Sequence, residues 1–490
     1  MPQFEFVTTL PLPYNPKTMM TRRNFVQTAS LATAGLMLSP ALRAAETNFP
    51  IVRIPESKRK FKSPAVEKTI QEIQSSIGNK ELAWIFGNCF PNTLDTTVDF
   101  EMVDGKPDTY VITGDIDAMW QRDSSAQVYP YLSLMKDDPQ LQQMVAGVIY
   151  RQTRNILLDP YANAFYKDPN KISPWKTDLT DMKPGVHERK WEIDSVCYPI
   201  RLAHGYWVNS GDTTPFNDEW RQAVLLIVKT LREQQRKNGK GPYHFQRRTE
   251  TQSDTLAGGG YGNPAKPVGL IFSMFRPSDD ATVFPFLIPS NFFAVTSLRQ
   301  AAVMLEQVCH DEAGAVECRA LADEVEQALT EYASVNPHGT GKIYAYEVDA
   351  FGNFYCIDDG NIPSLLSMPY IGSVKRDDEL YVNTRRFILS KENPYYCIGT
   401  AGEGPGGPHV GMNMIWPLGL ITQALTSTDN AEIGRCLKTL QNTTAGTGFM
   451  HESFNKDNPD KYTRAWFAWA NTIFGELILK VYKENPQLLS

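Results

Sequence analysis

DTTPFNDEWRQAVLLIVKTL, residues 212–231, sets the reading of the whole chain. Trp220, Val224, Leu225, Val228 and Leu231 recur at helical spacing, so they fall on one stripe of an α-helix. Asp212-Thr213-Thr214-Pro215 ahead of them supplies the short polar side chains and the proline of a helix start. The pattern repeats in both directions. Val66, Ile70, Ile73 and Ile77 step by four, three and four. Leu141, Met144, Val145, Val148 and Ile149 form a further stripe, as do Leu298, Ala301, Ala302 and Leu305, and then Val316 to Leu329. Met414 to Leu425 and Trp466 to Leu479 are strongly apolar, which predicts buried helices. Roughly a dozen helical segments result.

Strand signals are few. Tyr344 to Val348, before the turn-forming Asp349 to Gly352, reads as one arm of a hairpin, and Thr109 to Thr113 as a short strand. No alternation of strand and helix runs along the chain, which excludes a TIM barrel and a Rossmann sheet. Helix pairs without a fixed-period repeat argue against a solenoid. The expected class is all-α: an (α/α)6 toroid of six inner and six outer helices with a few short strands in loops. No linker divides residues 60–485, so one domain is expected over 46–490.

Thr21-Arg22-Arg23-Asn24-Phe25-Val26 is a twin-arginine pattern, followed by an apolar run, Ala29 to Leu38, and by small residues at Ala44-Ala45. Residues 1–45 therefore read as an export signal that is removed, with Met19 or Met20 as the natural start. The mature chain is expected in the periplasm or secreted, without a membrane anchor. A net charge of -7 leaves no basic excess for nucleic acid. Nine Trp and 21 Tyr serve cores and also stack on sugar rings. Seven cysteines contain no CxxC pair, so a structural zinc site is not expected and the thiols read as mostly buried and free.

His451-Glu452-Ser453-Phe454-Asn455 starts like a zinc-protease motif but carries Asn at the second ligand position. Gly339-Thr340-Gly341-Lys342 lacks the upstream Gly and trailing Ser or Thr of a phosphate loop. What remains is carboxylates beside Arg, His and aromatics: Asp115, Asp117 and Asp123 around Trp120 and Arg122; Glu192 and Asp194 after Trp191; Asp279 and Asp280 after Arg276; Glu452 after His451. Paired carboxylates suit general acid and base work on a sugar. Each also has a structural reading. Asp123-Ser124 fits the N-cap of a helix through Leu134. Asp279 or Asp280 fits a cap for the helix near Pro289 or a partner for Arg276. His409 fits an isolated loop histidine.

Five blocks carry a resemblance: NCFPNTLDTT (88–97), GDIDAMWQRDSS (114–125), FRPSDD (275–280) with IPSNFF (288–293), GPHVG (407–411) with IWP (415–417), and HESFN (451–455) with TRAWFAWAN (463–471). In these blocks the chain resembles glycoside hydrolase family 125, the exo-acting α-1,6-mannosidases. The resemblance implies the same toroid, inverting hydrolysis of terminal α-1,6-linked mannose from a mannose-containing glycan, and neither metal nor cofactor. It implies Asp279 as general acid, with Asp280 as the alternative, and Glu452 as general base. Trp120, Arg122 and Asp123 are then expected to hold the terminal mannose, with Asp115 close by and Arg276, His409 and Arg464 contributing. The acid's proton affinity should be raised by burial or a neighbouring carboxylate, for which the second aspartate is the candidate. The competing functions are an inverting hydrolase of another α-linked sugar and a non-catalytic glycan-binding protein.

Overall fold

The stripe over 220–231 is one buried face of a helix, Asp218–Glu233, in which Trp220, Val224, Ile227, Val228 and Leu231 all point inward. Its cap is Asn217, whose side chain accepts a bond of 3.1 Å from the Trp220 amide, and not Asp212-Thr213 as expected. Phe216 packs edge-on to Trp220 at 5.0 Å and sets where the helix begins, while Asp212 is taken by the Tyr206 hydroxyl and the Thr214 amide. The computed structural model describes residues 49–490 apart from 338 and 340. The expected export segment, with its boundary at residue 45, lies outside them.

Fourteen α-helices occur among the described residues: α1 (Pro64–Ser76), α2 (Lys80–Cys89), α3 (Asn92–Thr96), α4 (Gln121–Val128), α5 (Pro139–Leu158), α6 (Ile193–Ser210), α7 (Asp218–Glu233), α8 (Ala257–Gly260), α9 (Ile288–Gln307), α10 (Glu312–Tyr332), α11 (Glu379–Ile388), α12 (Pro417–Leu425), α13 (Asn430–Asn442) and α14 (Ala468–Glu484). They fall into two kinds. Helices α7, α10 and α13 bury one stripe and expose the rest. Each buried Val, Ile or Leu contributes about 1.5–3 kcal/mol, so the stripe holds these helices more than their intrinsic propensity does. Helices α4 and α12 are buried at every position, and α14 at most.

The buried helices pack in sequence: α4 on α6, α6 on α9, α12 on α14, and α14 back on α4. The turn-rich stretch 361–373 bridges α9 to α14, whose Glu476 accepts from the Tyr370 hydroxyl at 2.8 Å. There Ser373 Oγ meets Thr296 Oγ1 of α9 at 2.9 Å, and Ile362 O accepts from Tyr198 of α6 at 3.0 Å. Tyr198 also meets Phe293 of α9 and Trp469 of α14 edge-on. Helix α5 lies against α6 and α7, α10 against α9, and α13 against α12. Gly475 of α14 is fixed by the Phe90 ring, which occupies the space a Cβ would need.

Strands are short and antiparallel, in sheets of two or three. Thr109–Thr113 overlaps a longer hairpin, Val98–Val103 with Lys106–Val111, whose largely exposed first arm alternates Val98, Phe100 and Met102 with Asp99 and Glu101 and was passed over. Tyr344–Val348 divides in two. Ile343–Tyr344 pairs with Ser334–Val335, while Glu347–Val348 pairs across the expected turn with Phe354–Tyr355 and also with Phe286–Leu287. Met414–Ile415 is strand, and the helix starts only at Pro417, where a missing N–H costs nothing. All seven cysteines are free thiols, with Cys309 and Cys356 half-buried and the others buried. No helix among the described residues is long and apolar enough to cross a membrane.

Candidate active site

Helix α4 has a polar sequence, QRDSSAQV, yet every residue in it is buried. Burying such groups costs free energy unless each finds a partner. Ser124 donates to Trp120 O at 2.7 Å, Ser125 to Gln121 O at 2.9 Å, and Gln127 to Ile112 O at 3.1 Å. Asp123 is not the N-cap. Trp120 holds that position, and the Asp123 carboxylate accepts from Thr113 Oγ1 at 2.7 Å. The α-helix stops at Val128 and tightens into a 3-10 stretch, Tyr129–Asp137, with a proline at its start. Strand Met119–Trp120, paired with Ala164–Phe165, aims the start of α4 at a cavity.

That cavity has about 400 Å³ of empty space and brings together Trp120, Arg122, Asp123, Asp279, His409, Glu452 and Arg464, which the sequence had singled out. Trp416, Phe467, Trp469 and Asn361 line it too and had not been. Larger grooves exist, one of about 1150 Å³ beside α7. Its Arg232 and Lys237 are already committed to Glu317 and Glu324, so chemistry rather than size selects the site. Three expected residues stand outside the lining. Asp115 is half-exposed and paired with Arg464. Asp280 is buried and paired with His409. Arg276 is buried against Glu347, with Nε to Oε1 at 2.6 Å, so it braces the loop and does not reach the cavity.

Asp279 sits at φ 65°, in the left-handed region that non-glycine residues avoid at a cost of about 1–2 kcal/mol. A turn closed by its amide on Arg276 O at 2.9 Å, and Lys190 Nζ donating to Asp279 O at 2.7 Å, hold it there. Neither Asp279 nor Asp280 caps α9, whose N-cap is Leu287. The Asp279 carboxylate accepts from Arg122 Nη2 at 3.3 Å and Asn163 Nδ2 at 3.2 Å. Arg122 is shared: its Nη1 donates to Glu192 at 2.6 Å and to Asp194 at 3.2 Å. It therefore anchors a carboxylate cluster as well as facing the cavity. Burial alone would raise the proton affinity of Asp279. Arg122, Lys190 and a hydrogen bond with Glu192 outweigh burial and take it below the usual carboxylate range. Burial lifts Glu192 well above that range and Asp194 to about 6, against the pull of Arg122. The expectation for the acid is thus corrected in two respects. Its carboxyl neighbour is Glu192 and not Asp280, and the raised member of the pair is Glu192.

Asp280 has a different partner. Its Oδ1 lies 3.4 Å from His409 Nδ1. Burial works against a charge on His409, but Asp280 lifts it to about 9. Burial also disfavours the Asp280 anion, and His409 nevertheless draws it below its ordinary value. The fold raises the histidine, so its contribution is full below about 6.5 and is lost as pH climbs through about 9. The fold lowers the aspartate, so its contribution is lost only in acid. Asp280→Asn is accordingly expected to cost about 1–3 kcal/mol at pH 7 and clearly less at pH 10, read as melting temperature at the two pH values. An equal loss at both would remove the ion pair from the account.

Glu452 and Arg464 come from one hairpin, Ser453–Asn455 with Asn458–Thr463, which continues onto Met414–Ile415. His451 stacks flat on Tyr462 at 3.8 Å and its Nδ1 faces Arg464 O at 3.2 Å, fixing both ends of the hairpin. Arg464, at φ 49°, reaches Thr113 O, Asp115 and, at 3.6 Å, Glu452. Gly360 abuts Trp416, where any Cβ would collide with the indole. Several buried cavity-lining donors lack a hydrogen-bond partner among the described residues: Trp120 Nε1, Trp416 Nε1, Arg122 Nε and Arg464 Nε. Orphaned donors beside carboxylates and aromatic walls complement a small molecule that both accepts and donates hydrogen bonds and has apolar faces, as a sugar does.

The profile of the metal-independent α-mannosidases (GH125) matches residues 79–479. The chain belongs to the GH125 family. The chain is also similar to the meiotically up-regulated gene 157 protein of Schizosaccharomyces pombe, 41% identical over 460 residues, covering 90% of each chain. Among solved structures, a metal-independent α-mannosidase of Streptococcus pneumoniae in a non-productive complex with α-1,6-mannobiose is 40% identical. It has a TM-score of 0.83 and covers 87% of this chain and 100% of that one. A bacterial glucoamylase complexed with acarbose, 13% identical at a TM-score of 0.51, covers 87% of this GH125 chain and 57% of its own, and shares the fold alone. The sequence signals for GH125 lay in the blocks around Trp120, Asp279, His409 and Glu452. Asn163 and Lys190, which hold Asp279 from behind, carried no signal because a single amide and a buried lysine have no pattern.

Proposed function

We propose that this chain is an exo-acting, inverting α-mannosidase that removes terminal mannose from α-1,6-linked mannosides on an (α/α)6 toroid. The observation that carries this is one cavity lined by both Asp279 and Glu452, with Arg122, His409 and Arg464 around them. The Streptococcus pneumoniae relative crystallised with α-1,6-mannobiose supports the linkage. The contacts α4–α6–α9, those of stretch 361–373 with α9 and α14, and α12–α14–α4 support the toroid, with α5, α7, α10 and α13 as outer members.

In this reading Asp279 gives a proton to the glycosidic oxygen as the bond to the anomeric carbon breaks. Glu452 takes a proton from the water that attacks the opposite ring face. Inversion needs the two carboxyls about 6.5–9.5 Å apart, with that water between them. Asp123, Arg464 and the two indole N–H groups meet hydroxyls by charge-assisted and neutral hydrogen bonds. The walls Trp416 and Trp469 take the apolar face of the ring.

Linkage choice is checked by product analysis of α-1,2-, α-1,3- and α-1,6-mannobiose. Mannose is expected from the last at a rate at least about tenfold above the others, which corresponds to about 1.4 kcal/mol. EDTA should leave that rate unchanged. Preferential cleavage of another linkage, or a loss with EDTA that calcium restores, would contradict the reading.

A further inference from the structure

Asp279 does not stand alone. Glu192 is fully buried, and its carboxyl accepts from Arg122 Nη1 at 2.6 Å, Ser195 Oγ at 2.7 Å and Asn163 Nδ2 at 3.3 Å. Asp279 accepts from the other guanidinium nitrogen of Arg122 and from the same Asn163 amide nitrogen. Two carboxyls therefore share two donors, and they lie within hydrogen-bonding reach of each other.

The charges around the pair do not balance. From α4 come Arg122 and, at 3.5 Å from it, Asp123. From α6 comes Asp194, 3.2 Å from Arg122. Lys190 contributes a cation, but it also faces Asp254 at 2.9 Å and Glu188 at 3.6 Å. His409 faces Asp279 across the cavity but is held by Asp280. His187 and Tyr243 also face the pair; burial lowers the first and raises the second, so both are neutral. Carboxylates outnumber the cations available to them in a largely buried cluster that only Asp279 opens to the cavity, and like charges this close do not all ionise.

We infer that Glu192 is the positioning residue for the acid, holding with Asp279 a single proton that it keeps within reach of the glycosidic oxygen. This rests on Asp279 being the general acid. The balance is simple. Before substrate binds, the proton sits on Glu192. It passes along the hydrogen bond to the Asp279 carboxylate, and a turn of that carboxyl about its terminal torsion, a soft motion, presents it to the cavity. After delivery to the leaving oxygen both groups are carboxylates. The pair regains one proton from water by way of Asp279, whose side chain is 28% exposed while that of Glu192 is not exposed at all.

The test compares two glycosides in wild type, Glu192→Gln and Asp279→Asn. α-1,6-Mannobiose has a leaving group that needs a proton; 2,4-dinitrophenyl α-mannoside has one that does not. Glu192→Gln keeps the shape and can donate to Asp279 but cannot carry the proton. Its kcat/KM is expected to fall ~100-fold or more on mannobiose and far less on the dinitrophenyl glycoside. The alkaline limb of its mannobiose pH profile is expected to move down by about one unit or more. Equal losses on both substrates, or an unmoved limb, would reduce Glu192 to a structural residue and overturn the inference. Asp279→Asn separates the two claims. A leaving-group-selective loss there leaves the acid in place whatever Glu192 does, and an unselective loss removes the acid and the inference with it. Should Glu192→Gln not fold, infrared difference spectra of wild type against Asp279→Asn at neutral pH carry the test. Removing the Asp279 charge should ionise Glu192 and abolish one buried carboxylic-acid band, and a band that persists overturns the sharing.

Discussion

Asp279→Asn is expected to reduce turnover of α-1,6-mannobiose by ~10³-fold or more, about 4 kcal/mol of transition-state stabilisation, while the melting temperature stays at or above that of wild type. The two halves of this result come from the same geometry. Mannose is a poor leaving group as an alkoxide, so the proton given to the bridging oxygen is worth the full range of general-acid catalysis. The stability half follows from crowding. Asp279 competes with Glu192, Asp194 and Asp123 for Arg122, and it occupies a left-handed backbone position that asparagine tolerates at least as well. Removing the charge relieves repulsion in a buried cluster, a trade of stability for function often found at active sites. Kinetics on the mannobiose together with thermal melts check both halves. Near-wild-type turnover would dismiss Asp279 as the acid. The neighbouring aspartate is the less suitable donor, because Asp280 is buried against His409 and does not line the cavity.

Glu452→Gln is expected to be as damaging, with a loss of ~10³-fold or more in kcat, and its loss should extend to substrates with activated leaving groups. A water molecule has to be deprotonated whatever the leaving group, so the base mutant cannot be spared by a better one. That distinguishes it from Asp279→Asn in the same assay. Stability should again change little, because the partner of Glu452 is Arg464 at 3.6 Å, and Arg464 keeps Asp115 and Thr113 O. A Glu452→Gln enzyme that kept full activity, or lost activity only on poor leaving groups, would show that the carboxylate serves another role.

How much of this could be read from residue order differs between fold and site. Helical stripes such as Val66-Ile70-Ile73 and Trp220-Val224-Leu231 were legible because a buried face imposes its period on the sequence. Helix α4 was legible for the opposite reason: a polar stretch running into an apolar one asks what its charges meet. Its cap was misplaced, since Asp123 has a tertiary partner, Thr113, that no local rule reveals. The cavity gathers Trp120, Arg122, Asp279, His409, Glu452 and Arg464 from segments far apart in the chain, and blocks of resemblance pointed to each. Arg276 shares a block with Asp279 yet turns to Glu347, because the two stand at opposite ends of a tight turn and point in different directions. Asn163, Lys190 and Asn361 stayed hidden. Their roles depend on what approaches them in space, and their neighbours in sequence carry no trace of it. His409 read by residue type as an isolated loop histidine and by resemblance as a pocket residue; its partner Asp280 was not foreseen.

The central claim is that Asp279 and Glu452 act as acid and base across a single displacement at the anomeric carbon. Proton NMR of wild-type enzyme with α-1,6-mannobiose, followed from the first minutes before mutarotation mixes the anomers, tests it most directly. The account predicts β-mannose as the first sugar to appear, with the α-anomer growing in later. Appearance of α-mannose first would mean retention and a covalent intermediate, and would contradict the assignment of Glu452 as a base acting through water.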